Sequence, residues 1–144
     1  MPRKSFEEDL IYVIGETKDE LAGSDYYHYK SEEIGGNVPQ VDSQFAQNLY
    51  RDFFQAMQQN LIASSIAVNI GGLGLALMKK SVAGMMGAEI DLAKVKQKGI
   101  DRDDKILFSE TQSRFVVSVN PDKKAEFENI FGERASLVGK VSSD

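Results

Sequence analysis

The chain has 144 residues, a formal net charge of −5, 42% apolar and 27% charged residues, no cysteine and one histidine, His28. That length predicts a single domain, residues 1–144, burying about two thirds of the surface its unfolded form exposes, and the balance of apolar to charged residues argues against disorder. The missing cysteines exclude disulfides, thiolate catalysis and cysteine zinc sites, a lone histidine leaves a triad or histidine metal cluster without partners, and scattered basic residues on an acidic chain exclude nucleic acid as a partner.

No apolar segment of the kind found in a secretory leader follows "MPRKSFEED", and the longest weakly polar run, Leu61 to Met78, is broken by Asn69 and by glycines at 71, 72 and 74. The sequence therefore reads as cytoplasmic, with no membrane partner. It stops at "GKVSSD", on what looks like a strand, which suggests a piece of a longer multidomain chain.

"LIYVIG", residues 10–15, is a short apolar run closed by glycine, as expected of a buried strand. Glu16 to Pro39 contains "DYYHY" and reads as a long loop, a kind of segment that is usually functional or disordered. From Asp42, a fitting N-cap, the period becomes helical: Phe45, Leu49, Phe53 and Met57 form an apolar stripe that Tyr50, Phe54 and Leu61 widen, predicting a helix to near Asn60. A strand from about Ala63 to Ile70 follows, then a helix from Gly72 or Leu73 to about Met85.

"GAEIDL" alternates, with Ala88, Ile90 and Leu92 on one side and Glu89 and Asp91 on the other, as in a half-buried strand. Residues 93–104 are charged and read as a loop or short helix. "KILF" and "RFVVSV" read as strands, Phe115, Val117 and Val119 sharing a face. Asn120-Pro121 opens a helix, with Phe127, Ile130 and Phe131 on its buried side and Gly132 at its end; "SLVGKV" is the last strand. This order predicts an α+β fold, a mixed β-sheet packed with helices.

The richest candidate site is "IASSIAVNIGGLGLALMKK", residues 62–80, where a strand runs into Gly71-Gly72 and a helix start. Outward-pointing amides with the positive end of a helix dipole hold anions, yet neither the P-loop nor the dinucleotide spacing is present, and glycines there also serve close helix-on-sheet packing. Gly23 and Ser24, in "GETKDELAGSDYYHY", follow a strand end and fit a phosphate or sugar hydroxyl; covering the core is the competing role for that loop. Glu110, Gln112 and Arg114 alternate in "SETQSRF" and on one strand face would hold a carboxylate or phosphate, although cross-strand pairing explains them equally. Glu89 and Asp91 fit paired acids or magnesium ligands less well than a solvated edge, and His28 fits packing better than catalysis. No residue stands out as catalytic or as a metal ligand.

Three segments, "IYVIGETKDELAGSDYY", "GGLGLALMKKSVAGMMGAEIDL" and "ILFSETQSRFVVSVNPDKKAEF", together resemble the last domain of the phosphoribosylformylglycinamidine synthase family, synthetase subunit. The likeness spans nearly the whole chain, and "GETKDEL" and "SETQSR" argue against the related thiamine-phosphate and selenide kinases. The resemblance implies a C-terminal domain of the type found in aminoimidazole ribonucleotide (AIR) synthase. Such a domain closes over an ATP-binding N-terminal domain of the same chain. The implied enzyme is an ATP- and magnesium-dependent ligase of purine biosynthesis, converting formylglycinamide ribonucleotide and ammonia from a glutaminase subunit or domain to the amidine. Where that family writes HDVSDGGL, this chain has "IAVNIGGL", so Ile66, Ala67, Asn69 and Ile70 stand at the polar positions. The chain is accordingly expected to be inactive alone and to bind neither ATP nor magnesium by itself. The alternative is a stand-alone structural module that forms a homodimer.

Overall fold

The computed structural model describes residues 8–30 and 36–143. Its core is a five-stranded sheet in the order β3-β6-β1-β7-β4, formed by β1 (Leu10–Ile14), β3 (Ser64–Ala67), β4 (Gly87–Ile90), β6 (Phe115–Val119) and β7 (Ala135–Ser142). Every pairing in it is antiparallel, and the parallel component of the fold is a small separate ladder between β2 (Thr17–Lys18) and β5 (Gln97–Lys98). The helices are α1 (Asp25–Lys30), α2 (Ser43–Gln58), α3 (Gly72–Gly84), α4 (Asp103–Phe108) and α5 (Lys124–Phe131). The α+β reading holds.

Both faces of the sheet are covered, which is why β1 and β6 read as nearly continuous apolar runs. Ile11, Val13 and Val116 point to one side, where they cluster with Leu73 and Ala76 of α3, Ile106 of α4, and Val95. Tyr12, Ile14, Val117 and Val119 point to the other, against Leu49 and Ala56 of α2 and Phe127 and Phe131 of α5. Each such fully buried side chain contributes about 1.5–3 kcal/mol. Tyr12 satisfies its hydroxyl by donating to Glu128 Oε1 at 2.7 Å, and burial, with the carboxylate adding to it, holds that hydroxyl protonated.

Both anticipated caps are present. Asp42 Oδ1 accepts from Phe45 N at 3.0 Å, and Asn120 Oδ1 accepts from Asp122 N at 2.9 Å, the latter leading through a 3-10 turn at Pro121–Lys123 into α5. The stripe on α2 is narrower than its period suggests: Phe45, Ala46, Leu49, Phe53 and Ala56 face the sheet, whereas Phe54 and Met57 are exposed. Phe53 stacks on Phe115 with ring centroids 4.4 Å apart; Tyr50, one position round, meets that ring edge-on at 5.9 Å and is half exposed.

Three local expectations are corrected. "KILF" is helical, the end of α4; four apolar residues do not distinguish the two periods, and Asp103 and Asp104 in the first turn favour the helix dipole. The stretch after β1 is not one loop, since β2 and α1 lie in it, although residues 31–35 of that stretch lie outside the described part. The strand expected to reach Ile70 ends at Ala67, where Val68 turns inward and its amide bonds Arg114 O at 2.9 Å.

Candidate functional site

Three sequence motifs meet at the end of the sheet where β1 leaves it. "GETKDE" turns from β1 into β2, "SETQSR" connects α4 to β6, and "NIGG" opens α3. The segment 109–114 is a bent loop and not the strand expected from its alternation, so Glu110, Gln112 and Arg114 do not share a face. Each goes to a different place.

Arg114 is the largest fully buried side chain among the described residues. Its Nε donates to Thr111 O at 3.0 Å, one terminal nitrogen to Thr17 Oγ1 at 2.8 Å, and the other to Ser109 O at 2.6 Å. A planar guanidinium with donors fixed in a fork suits this task, because it holds a bent backbone from inside and ties it to β2 at once. The hydroxyls of Ser109 and Thr111 complete the tie by bonding Lys18 O at 2.6 and 3.2 Å, and Lys18 N returns a bond to Thr111 Oγ1 at 3.0 Å. Desolvation pulls the Arg114 pKa down to about 10, opposed by the negative charge of Glu20, so the guanidinium stays charged at neutral pH. Glu20 is itself buried, and its Oε2 has no hydrogen bond.

Gly15 lies where the turn leaves β1, at φ +94°, and a Cβ on it would sit 2.6 Å from Ser113 O. No other residue permits that approach. Beside it is a cleft of about 180 Å³ whose charged lining is Glu16, Asp42, Lys18, Lys96 and Arg134, with Gln112 on its wall. Arg134 is already engaged with Asp52 at 2.6 Å.

Gly71 and Gly72 form the start of α3, both at positive φ. A Cβ on Gly72 would lie 2.6 Å from Leu107 O and 2.7 Å from Ser109 O, so the glycine brings α3 directly against the end of α4. The amides expected to face outward are taken: Gly71 N donates to Glu110 Oε1 at 3.0 Å and Gly72 N to Asn69 O at 2.9 Å. Glu110 thus places the chain's own carboxylate at the positive end of the helix dipole, the position an external anion would occupy.

Gly23 and Ser24 stand at the start of α1, whose Tyr26 packs on α4. Gly23 has φ +75° with open space around it. Ser24 is buried and caps α1, its Oγ accepting from Tyr27 N at 3.3 Å. Tyr26 of α1 stacks on Phe108 at 4.6 Å and donates to Asp104 Oδ2 at 2.5 Å, and a Cβ added to Gly74 would lie 3.4 Å from the Phe108 ring. Asp104 is pulled down to about 2, first by its hydrogen bond from Arg102 and then by that from Tyr26. Gly71, Gly72 and Glu110 are therefore one constellation, Gln112 and Arg114 flank it, and Gly23 and Ser24 belong to the α1 turn.

The sequence reading passed over Thr17 and Lys18, which hold the 109–114 loop, and Lys96, which lines the cleft. "GETKDE" already contained the first two; Lys96 carried no local signal. Glu89 and Asp91 do not pair as acids. Glu89 is exposed opposite Lys140 in the ladder, and Asp91 caps a 3-10 turn through Ala93 N at 3.1 Å. Among the described residues no group of three acidic, histidine or cysteine side chains is placed to hold a metal, and no helix is long and apolar enough to cross a membrane. The described residues thus do not fit a magnesium site, and the α3 start, with its amides already bonded, does not fit a ready phosphate cradle.

A domain of this topology, with glycine-opened α3 packed on α4 and its polar loops gathered at one sheet end, defines a class, and the sequence matches it. Residues 7–144 match the family described as AIR synthase related protein, C-terminal domain, and the chain belongs to that family. Among curated relatives it is 34% identical over 135 residues to the phosphoribosylformylglycinamidine synthase subunit PurL of Limosilactobacillus reuteri, covering 94% of this chain and 17% of that relative. Among solved structures, Thermotoga maritima PurL complexed with FGAR superposes with TM-score 0.83 at 19% identity, over 96% of this chain and 25% of that one. The same protein complexed with ATP gives TM-score 0.77 at 21% identity, over 99% and 23%. The chain spans about a fifth of the length of the relatives it matches.

Proposed function

We propose that this chain serves as the C-terminal domain of a PurL-type phosphoribosylformylglycinamidine synthase, an ATP-dependent ligase forming the amidine of purine biosynthesis from formylglycinamide ribonucleotide and ammonia. The observation that carries the reading is the 34% identity to PurL across 94% of the chain. Arg114 bonds "GETKDE" to "SETQSR", two of the motifs that carry the resemblance.

The role follows from what the residues do. Arg114, Thr17, Ser109 and Thr111 make a rigid wall at one end of the sheet, and a rigid wall positions a substrate without reacting with it. Lys18, Lys96 and Gln112 line the adjoining cleft together with Glu16 and Asp42, giving it donors and acceptors for a polyhydroxylated group. ATP supplies activation of the formamide oxygen in the complete enzyme. Ile66, Ala67 and Ile70 offer no ionisable group toward it, so nucleotide and magnesium are held by the ATP-binding N-terminal domain of a longer polypeptide, and ammonia arrives from a glutaminase subunit or domain. Gly71, Gly72 and Glu110 adjoin the wall, with Glu110 the group that an incoming phosphate displaces from Gly71, whereas Gly23 and Ser24 serve the α1 turn and not the wall.

Replacement of the matching segment of L. reuteri PurL by this chain tests the proposal. A purine-requiring host lacking its own enzyme should grow with the chimera. A soluble, correctly sized chimera that never supports growth would refute it.

A further inference from the structure

The two halves of α3 pack differently on the sheet. In the first, Leu73 and Ala76 are buried in one cluster with Val13 and Val116. In the second, Lys80, Ala83 and Gly84 are too short or too polar to fill the same space, and a cleft of about 330 Å³ remains. Its floor and wall are apolar, from Ile11, Ile66, Leu77 and Val141. That volume lies at the small end of ligand-binding cavities.

One end of the cleft is polar. Lys80 Nζ donates to Ser64 Oγ, which lies 2.6 Å from Ser118 Oγ, so the amine is backed by two linked hydroxyls. Asp9, completely buried, adds a negative charge in the neighbourhood. An anionic guest would meet that charge, and an apolar guest without a polar end would leave the amine unused. An uncharged electrophile with an alkyl tail satisfies both ends.

We propose that this cleft captures small aliphatic aldehydes, with Lys80 Nζ forming an imine to the carbonyl carbon and the alkyl chain lying on the apolar floor. The unprotonated amine adds to the carbonyl carbon to give a carbinolamine. The former carbonyl oxygen then leaves as water, C=N replaces C=O, and no oxidant or reductant is consumed. The Ser64 hydroxyl, already at Nζ, stands beside the oxygen that departs. Burial also draws the Lys80 pKa from 10.5 to about 8, with Asp9 opposing the shift. More of the amine is then unprotonated near neutral pH than in an ordinary lysine.

The test treats the 144-residue chain with limiting hexanal and sodium cyanoborohydride, which fixes imines as secondary amines, and maps the alkylated lysines by peptide mass spectrometry. Lys80 should be modified at least tenfold faster than exposed Lys94, and hexanal should outpace acetaldehyde at Lys80 but not at Lys94. Ala83→Trp, which fills the cleft, should remove both preferences with the circular dichroism unchanged. Lys80 reacting no faster than Lys94, or showing no preference for the longer aldehyde in the unsubstituted chain, would overturn the proposal whether or not the tryptophan variant folds.

Discussion

The two ends of α3 show opposite solutions to helix-on-sheet packing. At its start, Gly72 presses backbone against backbone, Glu110 caps Gly71, and Arg114 stiffens the loop behind it. At its end, Met78, Val82 and Met85 are exposed outward, and a cleft with a half-buried lysine lies inward. The first end spends its polar groups on one another and gains a fixed shape. The second keeps a polar group available.

The sharpest way to break that contrast is Arg114→Met. It strips donors from Ser109 O, Thr111 O and Thr17 Oγ1 and leaves Glu20 buried without an opposing charge, at an expected cost of about 3–5 kcal/mol in chemical denaturation. Gly72→Ala forces a side chain into positive φ and into Leu107 O; a loss of about 3 kcal/mol is expected by the same measurement.

Lys80→Met should act in the other direction. Well below pH 8 the amine is protonated in folded and unfolded chain alike, and the folded state carries the cost of burying it. Above pH 8 the folded chain has lost a proton that the unfolded chain keeps to about 10.5, so stability rises with pH. Thermal melts should show this rise from pH 8 to 10 in the unsubstituted chain and a flatter profile, with a higher melting point at pH 7, in Lys80→Met. Glu110→Gln keeps an oxygen for Gly71 N but removes the charge from the helix start, costing about 0.5–1 kcal/mol. Val82→Lys on the exposed side should change stability by less than about 0.5 kcal/mol. If Val82→Lys instead costs more than Glu110→Gln, the two ends of α3 do not differ as described.

Much of this fold was legible because its signals are local. Asp42 and Asn120 announce their helices by capping chemistry, and the β1 and β6 runs announce a sheet covered on both faces. "KILF" fits either period with its four residues, and the deciding contact, Phe108 on Tyr26, comes from a distant segment. Glu110, Gln112 and Arg114 alternate as in a strand, yet Ser113 at φ +58° bends the chain and sends the arginine inward. The glycines of α3 were correctly picked as a special start, but a capping carboxylate from 39 residues away is invisible to any window around them.

The most direct test of the account is amidine formation by purified PurL chimera and purified 144-residue chain, assayed in parallel with formylglycinamide ribonucleotide, ATP, magnesium and ammonia. Product from the chimera and none from the chain alone is the predicted result. Product from the chain alone, or none from a folded chimera, would contradict it.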